Sequence, residues 1–141
     1  MRFFSLYKFE EIKRALNLNG SEVIVDMGGG TGQLGEYLMD SCNLIYILDE
    51  SDKMLSKVKV NEKIIPVQGE ALSTGFESKS IDVVILSDVF HHIENQGKLL
   101  EEIGRILKRD GKLLIMDFEK KHFRTKLLIL FEYLLFGKLY F

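Results

Sequence analysis

The residues with the most chemical potential are carboxylates and glycines at the ends of apolar runs, followed by a pair of adjacent histidines. Asp26-Met27-Gly28-Gly29-Gly30-Thr31-Gly32 closes the β-branched run that begins at Glu22. Glycines there let the chain turn tightly and let a ligand approach backbone amides at the start of a helix. Three ligand classes compete for such a loop. A triphosphate needs Gly-x4-Gly-Lys-Ser/Thr; Gly30 and Gly35 have the spacing, but Glu36 and Tyr37 follow, so phosphates and magnesium find no lysine or hydroxyl. A dinucleotide takes Gly-x-Gly-x-x-Gly, supplied by Gly30, Gly32 and Gly35, with Asp49 at the distance expected of a ribose carboxylate. Asp26 opposes that reading, because a carboxylate beside the loop repels a pyrophosphate but not a ligand carrying an ammonium and a sulfonium. The third pattern, Asp-x-Gly-x-Gly-x-Gly, is matched by Asp26, Gly28, Gly30 and Gly32.

Four further segments extend that third pattern. Leu48-Asp49-Glu50-Ser51-Asp52-Lys53-Met54-Leu55 is an acidic strand end followed by a capped helix, and Gly69-Glu70-Ala71 is a turn. Ile81-Asp82-Val83-Val84 leads to Phe90-His91-His92-Ile93, and Leu107-Lys108-Arg109-Asp110-Gly111-Lys112 leads into a last apolar run. In order and spacing, over about residues 22–118, the chain resembles the class I S-adenosylmethionine-dependent methyltransferases, in particular the branch acting on small molecules.

The resemblance implies a role for each position. Gly28, Gly30 and Gly32 would admit the methionine end of the cofactor. Asp26 would stand near its amino group, directly or through water, or would cap loop amides. Asp49 would accept hydrogen bonds from both ribose hydroxyls, a geometry that suits a two-oxygen carboxylate; the adjacent Glu50 leaves the register open by one residue. Glu70 would accept from the adenine amino group while the Ala71 amide reaches a ring nitrogen, although the family usually carries aspartate in place of this glutamate. Ser87 would offer its backbone carbonyl to the cofactor's amino group. His91 and His92 would face the acceptor, where a histidine can act as a base near neutral pH; packing of the following helix is the other role open to them. As metal ligands they are poor, since adjacent residues rarely converge on one ion.

The elements that must position these residues follow from apolar period. Helices are predicted over Ser5–Asn17, Thr31–Ser41, the segment capped by Ser51, Asn95–Lys108 and Thr125–Phe136. Strands are predicted over Glu22–Met27, Asn43–Leu48, Ile64–Gln68, Ile81–Ser87 and Lys112–Phe118. Such alternation means crossover connections: an α/β fold, Rossmann-like and doubly wound, with a mostly parallel sheet of order 3-2-1-4-5 and helices on both faces. The sole proline, Pro66, falls in the third strand, which that order places at an edge, where a missing amide donor is tolerated.

Length and composition bound the rest. The 141 residues, 46% hydrophobic and 28% charged, suit one domain with its own core. Three parts are expected: residues 1–20 as an N-terminal helix or lid carrying Phe4 or Tyr7, 21–118 as the cofactor core, and 119–141 as an apolar C-terminal helix. A net charge of −2 offers no general attraction to nucleic acid. The lone Cys42 excludes an internal disulfide and suits a reducing, cytoplasmic setting, and Met1–Lys8 has no signal-peptide character. Leu127–Phe136, interrupted by Glu132, is too short to span a bilayer. With the usual terminal strand hairpin expected to be missing, Leu113–Phe118 would form an uncovered apolar edge, and a homodimer through it or through the C-terminal helix is the expected remedy.

The function expected from the resemblance is methyl transfer from S-adenosylmethionine to an unidentified, small-molecule acceptor. A non-catalytic cofactor-binding or regulatory module and an NAD-binding oxidoreductase domain are the alternatives.

Overall fold

β-Branched and leucine-rich runs that alternate with amphipathic segments assemble one twisted sheet. The computed structural model describes residues 3–119 and 122–129. In chain order the elements are α1 (Phe3–Leu16), β1 (Val23–Met27), α2 (Gln33–Leu38), β2 (Leu44–Asp49), α3 (Asp52–Leu55), β3 (Ile64–Gln68), β4 (Ile81–Ser87), α4 (Gln96–Ile106), β5 (Leu107–Glu119) and β6 (His122–Ile129). The sheet order is β3-β2-β1-β4-β5-β6. The first five strands are parallel, in the expected order, and Pro66 lies in the edge strand β3.

Each central strand buries both faces, as a parallel sheet between helices must. On one face Ile24, Ile45, Ile47, Val83, Ile85 and Leu114 pack with Phe9, Ile12 and Leu16 of α1 and with Leu34 and Leu38 of α2. On the other face Val25, Leu48, Val84, Leu86, Leu113 and Ile115 pack with Leu99, Ile103 and Ile106 of α4. Ser51 caps α3 as expected, its Oγ accepting from the Met54 amide at 3.2 Å, and the structure adds a second cap, Asn95 Oδ1 accepting from the Lys98 amide at 3.1 Å at the start of α4. The N-terminal helix packs on the sheet, and Tyr7 remains 54% exposed.

The C-terminal end departs from expectation. Thr125–Ile129, read as the start of a helix, belongs to β6, which pairs antiparallel with β5 from Lys112↔Ile129 to Glu119↔His122. The apolar edge Leu113–Phe118 is therefore already covered within the chain, and a dimer through that edge has no strand to pair with. The helical period misled because Leu127, Leu128 and Ile129 are as compatible with a strand, and a short apolar run carries no decisive period. The expected helix beyond residue 129 lies outside the described residues.

Candidate active site

Register brings the chemistry to one line. Met27 pairs with Leu48 on β2 and with Leu86 on β4, so Gly28, Asp49 and Ser87 follow at the same level at the carboxyl edge of the sheet. Open α/β sheets bind ligands at this edge, where the order of connections reverses between β1 and β4.

The glycine loop is built around one carbonyl and one carboxylate. Gly28 and Gly29 donate their amides to the Leu48 carbonyl at 2.7 and 3.1 Å. Gly30 donates to Asp49 Oδ2 and Ser51 to Asp49 Oδ1, each at 2.9 Å. The capping role left open for Asp26 thus belongs to Asp49. Each carboxylate oxygen has a second lone pair, so Asp49 retains capacity for a hydroxyl ligand. Gly28, Gly30 and Gly32 have φ of +74°, +59° and +80°, the left-handed conformation that favours glycine. Gly29 is required for a different reason: a Cβ there would lie 2.8 Å from Asp26 Oδ2.

Asp26 is therefore immediately beneath the loop, and it is only 2% exposed. Burial pushes its carboxyl from 3.8 up to about 7; the Lys8 ammonium pulls it back down and Asp49 adds to the rise. Lys8, on α1, also forms an ion pair with Asp88 immediately after β4. Asp88 holds φ at +58°, a strained value for a residue with a side chain. Asp88, with Ser87, is expected from sequence at the carboxyl end of the fourth strand, whereas Lys8 did not stand out, since an isolated lysine on a helix has no signature.

Two clefts meet at Gly28. One of about 210 Å³ is walled by Leu48, Asp49, Glu50, Gly69, Ala71 and the apolar pair Val89 and Ile93. The other, about 240 Å³, has Asp26, Gly29, Gly30, Met54 and Ser87 around it, with Phe9 from α1. A larger depression of about 430 Å³ lies between α1 and α2, lined by Glu10, Lys13, Arg14 and Tyr37, and holds none of the loop residues. The paired clefts lie at the carboxyl edge of the sheet and hold the glycine loop with its carboxylates, whereas the larger depression, though lined by charged side chains, lies away from that edge. Of the expected site residues, Asp26, Gly28, Gly30, Asp49, Glu50, Ala71 and Ser87 line the clefts. Gly32 begins α2 behind the loop. Glu70 is exposed, forms a bridge with Ser73 and is not part of either wall.

His91 and His92 occupy a short 3-10 turn, Phe90–His92, beside the cleft residues Val89 and Ile93. Their rings stand 3.9 Å apart between centroids. His91 Nδ1 lies 3.2 Å from Asp117 Oδ1 on β5.

A Rossmann-like sheet with an acidic, glycine-lined site at its carboxyl edge defines a class of nucleoside-cofactor enzymes. Residues 25–115 match the model of a methyltransferase domain, and the chain belongs to that family. Among curated relatives, the demethylmenaquinone methyltransferase of Thermotoga maritima is 30% identical over 102 residues, covering 68% of this chain and 43% of the relative. The ubiquinone/menaquinone biosynthesis C-methyltransferase of Campylobacter jejuni is 27% identical over 128 residues, covering 85% of this chain and 50% of its own. The chain thus spans about half the length of the curated relatives it matches. A SAM-dependent methyltransferase from Aquifex aeolicus shares the fold with a TM-score of 0.74 at 23% identity, covering 81% of this chain and 65% of that one. The [4+2]-cyclase SpnF has the same fold, with a TM-score of 0.74 at 18% identity, covering 79% and 44%. Fold alone therefore leaves the chemistry open, and the site must decide it. S-adenosylmethionine is the cofactor that this methyltransferase class uses.

Proposed function

We propose that this chain binds S-adenosylmethionine along the carboxyl edge of its sheet and transfers the methyl group to a small-molecule acceptor by in-line displacement. The observation that carries the reading is the pair of carboxylates, Asp26 and Asp49, flanking a loop whose glycines leave room for a ligand. The donor set suits this cofactor: Asp49 has lone pairs for a vicinal diol, and Asp26 is a buried carboxyl beside which an ammonium would be welcome. A dinucleotide would bring a doubly negative pyrophosphate between the same two carboxylates, which favours the methyl donor over NAD.

When bound, the cofactor supplies a methyl group on a sulfonium, already activated toward nucleophiles. The chain's own residues have to hold and align. Asp26 and the Ser87 carbonyl hold the amino group, and Asp49 holds the ribose, with Glu50 at its rim. Gly69 and Ala71 form the wall on which the base rests, while Val89 and Ile93 exclude water. Glu70 acts at the adenine edge only by turning inward from its exposed position. The acceptor approaches from the side of His91 and His92. The quinone-methylating relatives support a ring-type acceptor as the first to screen. A lone, buried Cys42 supports a reducing, cytoplasmic setting.

Isothermal titration with S-adenosylmethionine, S-adenosylhomocysteine and NAD tests the reading. Binding of the first two and not the third is expected. Asp49→Ala should weaken S-adenosylmethionine by about 10–100-fold, the worth of one or two charge-assisted hydrogen bonds. Binding of NAD alone would overturn the proposal, and cofactor binding with no transfer to any acceptor would favour the non-catalytic module.

A further inference from the structure

We propose that His91 is the general base for a hydroxyl-bearing acceptor and that Asp117 is its positioning residue. The proposal deepens the reading above and rests on it for the methyl donor. Asp117 is brought to the site by register: Met116 pairs with Ser87 and accepts the Asp88 amide at 2.7 Å, so the next residue of β5 stands at the carboxyl edge of the sheet. His91 reaches the same place from a turn whose backbone is pinned. The Ile93 amide donates to the Phe90 carbonyl at 3.2 Å, as does Gln96 Nε2 at 3.2 Å, and the Phe90 ring is buried. Residues 89 and 93 on either side of the histidines wall the cleft that holds Asp49. The turn that carries the imidazole therefore borders the cofactor cleft on its β4–β5 side, with Val89 and Ile93 rather than the ring forming the wall.

The contact selects a tautomer. With its proton on Nδ1, donated to Asp117 Oδ1 at 3.2 Å, His91 keeps a lone pair on Nε2. The side chain is 45% exposed, which is enough for an acceptor to reach it, while Asp117 is the more covered partner at 26%. As an exposed ion pair the contact would add little to stability. As an orienting contact it fixes which nitrogen can take a proton, the same logic by which a carboxylate orients a histidine base elsewhere. Among the described side chains, the charged or titratable groups around it are Asp117 on β5, His92 in the same turn and the Lys8–Asp88 pair at the end of β4.

The step balances within these groups. His91 Nε2 takes the hydroxyl proton and becomes an imidazolium facing Asp117. The acceptor oxygen keeps the O–H electron pair, and that charge drives attack on the methyl carbon as the carbon–sulfur pair returns to sulfur. The proton on His91 then passes to solvent. The substrate class is thus an alcohol, phenol or enol that is protonated at neutral pH, rather than an acceptor ionised beforehand.

Two measurements on the whole chain test this. Long-range proton–nitrogen NMR of the ligand-free protein should show His91 with its proton on Nδ1. Asp117→Asn should shift His91 toward the Nε2–H tautomer; the opposite tautomer in the wild type, or an unchanged tautomer in the variant, would overturn the pairing without touching the methyl-donor reading. Next, S-adenosylhomocysteine formation is followed at about pH 8 with phenol, catechol and menadiol, still mostly protonated there, and with 4-nitrophenol, largely ionised. His91→Gln and Asp117→Asn should lower kcat on the protonated acceptors by about 10²-fold or more, with an acidic limb that moves in Asp117→Asn. Turnover of 4-nitrophenol and affinity for S-adenosylmethionine should hardly change. Equal losses on both acceptor kinds, or no transfer to any hydroxyl while S-adenosylmethionine still binds, would overturn the base role. Lost S-adenosylmethionine binding in the wild type would instead strike the methyl-donor reading.

Discussion

Asp26 is the residue whose ionisation matters most. Its carboxyl titrates near 7 in the folded chain against 3.8 ordinarily, because burial disfavours the charge more than Lys8 compensates. A native state with the higher carboxyl pKa binds the extra proton between those values, so stability should fall as pH rises from about 4 to about 7 and then level off. At about 1.4 kcal/mol per pH unit the effect is bounded by ~4 kcal/mol. Urea unfolding at pH 5 and pH 8 should show the loss in the wild type and a flatter profile in Asp26→Asn. A cationic ligand beside this carboxyl would reverse the cost. Affinity for S-adenosylmethionine should therefore rise with pH up to about 7, with release of a proton that titration calorimetry in buffers of different ionisation enthalpy reads directly. Gly29 belongs to the same scale. Gly29→Ala would press a methyl against Asp26 and against Ile47 Cγ2, also 2.8 Å away, and should destabilise by about 1–3 kcal/mol in the same unfolding experiment.

At the scale of elements, the loop between β3 and β4 is tied down by α4. Glu102, nearly buried, accepts the Thr74 amide at 3.0 Å and pairs with Arg105 one turn on. Burial alone would raise its pKa; the hydrogen bonds from Arg105 and Thr74 overcome this and hold it below the usual range. Glu102→Ala leaves a buried amide unpaired and should cost about 1–3 kcal/mol, measured by thermal or urea unfolding. Most elements were legible because glycine, capping residues and two clean periods mark their ends. The strands β3 and β4 have the bounds read from sequence, and Ser51 caps as expected. Two kinds of information were not local. The pairing of β6 with β5 is a tertiary choice that an apolar run of leucines does not encode. The contacts Lys8–Asp88 and His91–Asp117 join residues 80 and 26 positions apart, so no motif announces them. The loop carboxylates were legible as a pattern, yet which of them caps the glycines depended on the register of β1 against β2.

For the whole molecule, the decisive feature is that the parallel sheet ends on an antiparallel strand of its own. The amides of Leu113–Met116 lie between β4 and β6 and should be among the slowest to exchange in hydrogen–deuterium measurements, comparable with those of β1. Rapid exchange there would mean that β6 does not cover the edge. No helix among the described residues is long and apolar enough to cross a membrane. The chain spans about half the length of its curated relatives, and within that span it carries a glycine loop, two carboxylates and a histidine turn at one sheet edge.

The Lys8–Asp88 pair has a consequence in time as well as in space. Its partners are 80 residues apart, and Lys112 Nζ donates to the Leu16 carbonyl across 96. At ribosomal speeds of about 5–20 residues per second, α1 would emerge about 4–16 s before the residue that anchors it. Through that interval its apolar stripe of Phe9, Ile12 and Leu16 has no sheet to lie on. Though first of the described elements in chain order, α1 is therefore among the last to dock, and its contacts near Asp26 form only when β4 and β5 are in place.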